Sequence, residues 1–236
     1  MKSKEGRRHE SGAALVAVAH GTRDPAGVRT VSQIVDAVRA RRPDLDVRLG
    51  WVELVDPDLR TTLRCVPTER PVTLVPLLLT SGYHDRVDLP AAVADARPDA
   101  VQVPVLGPDP LLADALADRL AEAGLAGADA VVLAAAGSSD PDAVASVHVQ
   151  ATALAARTGR PVSAGFASAA APSVGDAVAT ARSGGAGTVA IAPYLLAPGH
   201  FADRLADAGA DGVAAPLGPH PAVVSLILER YASTHG

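Results

Sequence analysis

The sequence is poor in aromatic side chains: its 236 residues include one Trp, three Tyr and two Phe. A platform that holds nucleic acid by stacking bases on aromatic faces is therefore not expected. Lysine is absent after Lys4. That removes the amine of Schiff-base chemistry and the phosphate-binding lysine of a P-loop. Cys65 is the one cysteine, which excludes an intrachain disulfide framework and a thiolate zinc cluster, and fits a reducing compartment. Nor is there a surplus of positive charge: the net charge is −5 at pH 7. Residues 1–12 carry four basic and two acidic side chains, so the remainder is more acidic still. Phosphate backbones and anionic membranes are poor partners for such a body. No apolar run approaches the length of a membrane span, about 18 residues. Arg7-Arg8, the apolar stretch Ala13–Ala19 and its triplet Ala17-Val18-Ala19 imitate a secretory signal. A near copy, Ala130–Ala136, recurs in mid-chain, so both stretches read as buried strands. The expectation is a cytoplasmic protein with residues 1–12 as a loose tail, and with neither nucleic-acid nor membrane partners.

What is present is one unit written twice. His20-Gly21-Thr22-Arg23-Asp24-Pro25 aligns with Ala136-Gly137-Ser138-Ser139-Asp140-Pro141, Val47–Glu53 with Val162–Ser168, and Pro76–Gly82 with Pro193–Gly199. The ends agree too, Leu106-Gly107-Pro108-Asp109-Pro110 with Leu217-Gly218-Pro219-His220-Pro221. Four blocks in one order at a near-constant offset mark a duplication, with lobes at 13–126 and 127–236. Strands are expected at 14–19, 47–52, 72–78 and 101–105, then at 130–135, 162–167, 187–192 and 212–215. Between them lie helical patterns. Asp24 and Pro25 suit an N-cap and first helical position, and Val28, Val31, Ile34, Val35 and Val38 follow at helical spacing. Near-continuous apolar strands alternating with helices imply parallel sheets covered on both faces. The expected fold class is α/β: two duplicated lobes, each a four-stranded parallel sheet flanked by helices, with a cleft between them.

Ligands of open parallel sheets bind beyond the carboxyl ends of the strands. Three ionisable residues fall there in the first lobe and have no ionisable mate in the second: His20 against Ala136, Glu53 against Ser168, His84 against Phe201. Two imidazoles and a carboxylate suit a divalent transition metal, and equally proton transfer near neutral pH. Each histidine alone reads as well as a helix cap or loop residue, whereas a Glu ending an apolar strand is more suggestive, because burying a carboxylate without a partner is costly. The joint pattern, confined to one lobe, favours a site. Of the other histidines, His9 and His235 lie in tails, His148 on a helix surface and His220 at a helix start, while His200 could line the cleft from the other side. Gly184–Gly187 reads as a helix terminator rather than a dinucleotide loop. Gly137-Ser138-Ser139 could cradle an anion but has no following lysine. Ser81 beside His84 lacks the G-x-S-x-G elbow of a nucleophile. Cys65 reads as a core residue of the second helix.

The blocks Val18–Pro25, Trp51–Pro57 and Pro76–Pro90 resemble the sirohydrochlorin chelatases of the class II, cobalto- or ferrochelatase type, which insert a divalent metal into a precorrin-derived tetrapyrrole. The resemblance covers nearly the whole chain, as the long form with two fused units; small members pair two copies of one unit. It implies that His20, Glu53 and His84 line the metal and macrocycle site, and that Ser81, Gly82 and Tyr83 border it. It implies one site, because the second half departs from the pattern at all three positions, and hence a functional monomer. The metal is substrate, Fe2+ or Co2+ with Ni2+ as a further candidate, and no organic cofactor is expected. Arg23 and Arg86, close to the two histidines, are candidate clamps for substrate carboxylates, with Arg204 a third from the opposite lobe. The ligand set leaves both the sirohaem and the cobalamin pathway open. A non-catalytic two-lobed binding protein, and a metal-dependent hydrolase drawing on Asp24, Asp56 or Asp85, stay as alternatives.

Overall fold

The structure, a computed structural model, describes residues 12–82 and 84–234, with only the backbone of His84. Each repeat forms one parallel sheet. β1 (Ala14–Ala19), β2 (Val47–Trp51), β3 (Val72–Pro76) and β4 (Val101–Gln102) lie in the order β2-β1-β3-β4. β5 (Ala130–Ala135), β6 (Val162–Phe166), β7 (Val189–Tyr194) and β8 (Gly212–Val213) repeat it as β6-β5-β7-β8. The fourth strand of each sheet is shorter than expected, two residues rather than four or five. The ladder runs one bond further, Val103 N–H to Leu74 O and Ala214 N–H to Ile191 O. Pro104 then has no N–H to give, and Pro216 stands two residues beyond Ala214. β3 ends at Pro76, short of the expected Leu78, and β7 sits two residues later than expected.

The helices are α1 (Pro25–Arg41), α2 (Leu59–Arg64), α3 (Leu89–Ala96) and α4 (Pro110–Glu122) in the first repeat. In the second they are α5 (Pro141–Thr158), α6 (Val174–Ser183), α7 (His200–Asp203) and α8 (Pro221–Ala232). Four of them start on the same device, a capping side chain followed by proline. Asp24, Asp109 and Asp140 accept the N–H of Ala26, Leu111 and Asp142, and His220 accepts that of Ala222. A five-residue π-helical turn, His84–Asp88, precedes α3. The alternation of strand side chains sorts the helices into layers. Leu15, Ala17 and Ala19 point into a core shared with α1 and α4, and Leu133 and Ala135 of β5 point into that same core with α5 and α8. Ala14, Val16 and Val18 face α2 and α3 instead, while Val132 and Ala134 face α6. The lobes are thus joined through one continuous apolar layer. Among the described residues, no helix is long and apolar enough to cross a membrane.

Cys65 departs from its expected place. It caps the C-terminus of α2 and is exposed, because that six-residue helix buries only Leu59, Thr62 and Leu63.

Candidate functional site

In both sheets the chain leaves the first strand toward one neighbour and returns to the third strand on the other side, so a crevice opens at their carboxyl ends. The two crevices face each other. Between them lies a cavity of about 260 Å3, walled by Leu77–Thr80 after β3, Ala135–Ser138 after β5 and Tyr194–Leu196 at the end of β7. Val144, Val147 and Phe166 complete an apolar lining. His20, Thr80 and Ser138 bring polar side chains to the wall.

His20 is placed by its backbone. The Glu53 N–H donates to the His20 carbonyl at 3.0 Å, and Gly21 adopts φ +109° with its Cα pressed against the Glu53 carbonyl. This zips the turn after β1 onto the loop after β2 and brings His20 Nε2 to 3.2 Å from Glu53 Oε1. Glu53 follows β2 by two residues rather than ending it, and its side chain is 51% exposed, as is 43% of His20. Glu53 is therefore a half-solvated carboxylate paired with the histidine. The second repeat copies the scaffold without the chemistry. Ser168 N–H donates to the Ala136 carbonyl at 3.0 Å and Gly137 has φ +96°, yet Ala136 and Ser168 offer no imidazole or carboxylate.

The loop after β3 carries the remaining expected residues. The side chain of His84, all of Tyr83, and the tail residues His9 and His235 lie outside the described residues. Ser81 Oγ donates to Asp85 Oδ2 at 2.6 Å, and Gln102 Nε2 donates to Asp85 Oδ1 at 2.8 Å, which fixes the loop to β4. Gly82 has open space where a Cβ would stand, so no close approach demands glycine there. Arg86 reaches across to the second repeat and pairs with Asp140, with Asp142 at 4.0 Å. Arg23 is exposed and, among the described residues, has no ion-pair partner. His200 and Arg204 are exposed at α7 and the turn after it, and neither lines the cavity. Among the described residues no three His, Cys, Asp or Glu side chains converge on one point. Asp24 is occupied as the cap of α1, Asp85 by Ser81 and Gln102, and Asp56 lines a different groove beside Trp51.

Sequence reasoning missed Thr80, Phe166 and Tyr194, and weighed Ser138 only as part of an anion cradle. Tyr194 is the buried counterpart of Leu77; its hydroxyl donates to the Leu79 carbonyl of the first repeat at 3.0 Å. Burial pushes its phenol well above the ordinary value, so it remains a donor. The signal available was a tyrosine closing an otherwise aliphatic strand.

A "Sirohydrochlorin cobaltochelatase" of Methanosarcina acetivorans is 30% identical over 123 residues, spanning 46% of this chain and 95% of that protein. The structure described as SirB from Bacillus subtilis with Fe3+ superposes with a TM-score of 0.82 at 24% identity, covering 94% of this chain and 95% of the other. A second, the sirohydrochlorin chelatase SirB from Bacillus subtilis subspecies spizizenii in complex with cobalt, gives 0.77 at 22% identity over 94% and 95%. The CbiX family model matches twice, at residues 14–123 and 130–234, once on each repeat. The chain belongs to the CbiX family.

Proposed function

We propose that this protein is a sirohydrochlorin chelatase that inserts Fe2+ or Co2+ into the metal-free tetrapyrrole at a single site made by His20, Glu53 and His84. The observation that carries the reading is His20 in the wall of a largely apolar cavity, where the strand ends of two CbiX repeats meet, with Glu53 paired to it from just outside that wall. Insertion exchanges two pyrrole N–H protons for one divalent cation, so two protons must leave the macrocycle. A neutral imidazole, with an ordinary pKa of about 6.5, can accept them one after the other, releasing each to solvent. Glu53, 3.2 Å from the ring, orients it and balances the imidazolium that forms. Two imidazoles and a carboxylate hold a first-row divalent metal without the thiolates that retain zinc tightly. The pair is half-exposed, which lets the metal arrive from solvent.

The aliphatic walls match the apolar face of a macrocycle. Arg23, exposed at the start of α1, and Arg86 are proposed to meet its peripheral carboxylates. The second repeat supplies the opposite wall, so one chain completes the site and the active species is a monomer. The hydrolase alternative is not favoured, because Asp24 and Asp85 are committed to a helix cap and a loop brace. The test is anaerobic: sirohydrochlorin is mixed with Fe2+, Co2+ or Ni2+, and its absorption is followed with and without protein. Protein-dependent conversion to the metallated spectrum is expected for Fe2+ or Co2+. Tetrapyrrole binding without any acceleration would make the protein a carrier instead.

A further inference from the structure

We infer that Asp140, in the second repeat, is a positioning residue for the tetrapyrrole: it holds Arg86 beside the cavity until a substrate carboxylate takes its place. The inference rests on the chelatase reading. The cavity's volume, about 260 Å3, is below the range of ordinary small-molecule sites, about 300–1,000 Å3, and a tetrapyrrole exceeds most ligands in that range. A macrocycle therefore extends beyond the cavity toward the residues that flank it.

Two of the cavity's walls are tied together by charge. Thr80 lines the cavity from the loop that continues to Arg86, and Ser138 lines it two residues before Asp140. The Arg86–Asp140 pair, with Asp142 nearby, therefore joins the first repeat's loop to the second repeat's helix, a few residues beyond two of the cavity's walls. Arg86 sits in a π-helical turn, a conformation that is uncommon and recurs at functional sites. The bridge has no mirror in the duplication. Asp24, the mate of Asp140, has no cationic partner among the described residues, and the residue in the place of Arg86 is Asp203. Arg204, one residue beyond Asp203, is exposed and makes no ion pair among the described residues, so the bridge forms only on the side that carries His84. A carboxylate of the substrate presents the same chemistry to the guanidinium as Asp140 does, so it can replace Asp140 without leaving Arg86 uncompensated.

The side chain of Asp140 has two separable tasks. Oδ1 accepts the Asp142 N–H at 3.0 Å as the cap of α5, while Oδ2 meets Arg86. Asn caps a helix as well as Asp does, so Asp140→Asn removes the charge and keeps the cap. Binding of metal-free sirohydrochlorin is titrated by fluorescence quenching in the wild type, Asp140→Asn, Arg86→Gln and the double variant, with thermal midpoints for each. Asp140→Asn is expected to bind about two- to fivefold more tightly, the scale of a partly exposed ion pair, and to melt close to the wild type. In the Arg86→Gln background the same change should have no effect. Wild type that fails to bind sinks the chelatase reading itself. Wild type that binds, with Asp140→Asn binding equally or more weakly, or tightening regardless of Arg86, overturns the competition and leaves the pair a strut. Should Asp140→Asn fold poorly, Asp140→Ser keeps a capping oxygen and gives the same comparison.

Discussion

Gly21 has φ +109°, and a Cβ there would run into the Glu53 carbonyl, so the turn that presents His20 exists only with glycine. Gly137, at φ +96°, stands in the same relation to the Ser168 carbonyl. Replacing either by alanine should cost about 1–3 kcal/mol from backbone strain, before the steric conflict adds to it. The two variants are expected to melt similarly below the wild type. Activity per folded molecule should fall only for Gly21→Ala, because only that turn carries the imidazole; urea unfolding and initial rates separate the two effects. Equal rates in both variants would show that the turn geometry does not serve His20. His20 and Glu53 were legible in the sequence because each is an ionisable residue opposite an Ala or Ser in the repeat. Thr80 and Tyr194 were not. A hydroxyl or a single ring at the end of an apolar strand reads the same whether it faces core or cavity.

Each repeat closes on a helix whose arginine serves the other repeat. Arg119 of α4 donates to the Leu217 carbonyl at 2.8 Å, and Arg230 of α8 donates to the Leu106 carbonyl and to Asp109 Oδ2, each at 3.0 Å. Leu106 and Leu217 follow β4 and β8, so the exchange pins the short fourth strands to the shared helical layer. Removing the guanidinium leaves these acceptors without their donor. Arg230→Met should lower stability by about 1–3 kcal/mol in urea unfolding, and a change within error would show that water replaces it. At this scale the sequence was most legible where local chemistry is strong: the Asp24-Pro25 start of α1, matched by Asp140-Pro141 in the repeat, and the continuous apolar runs of the strands. It was least legible after the third strand of each repeat. There a π-helical turn runs into α3 in one copy, and a four-residue helix with a 3-10 turn stands in the other. Such irregular turns are set by what the loop touches across the cleft, not by local propensity.

The lobes share one apolar layer, so the molecule should unfold in a single transition, and its acid limb should report surface carboxylates held by arginine. Hydrogen bonds from Arg48, then the charges of Arg48 and Arg70, hold Asp46 below the usual carboxylate range against the opposing effect of burial. A depressed folded value means that ionised Asp46 favours the native state. Its contribution is full above the ordinary Asp pKa of about 3.9 and fades as pH falls through the lower folded value. Asp46→Asn should therefore lower stability at pH 7 and flatten its decline below about pH 4; an unchanged acid limb would show the pairing to be inert. The duplication made the whole architecture readable, but not the sharing of the core, since a buried alanine or valine carries no mark of which lobe it meets. The claim at the centre of the account is that one repeat performs the chemistry and the other completes its cavity. The most direct measurement is the anaerobic rate of Co2+ insertion by the wild type, His20→Ala and Glu53→Gln, with the melting temperature of each. His20→Ala should be slower by about 10²–10⁴-fold, Glu53→Gln clearly slower, and both should melt within about 0.5 kcal/mol of the wild type, as expected of exposed loop positions. Wild-type rates in His20→Ala, or slow rates fully explained by unfolding, would contradict it.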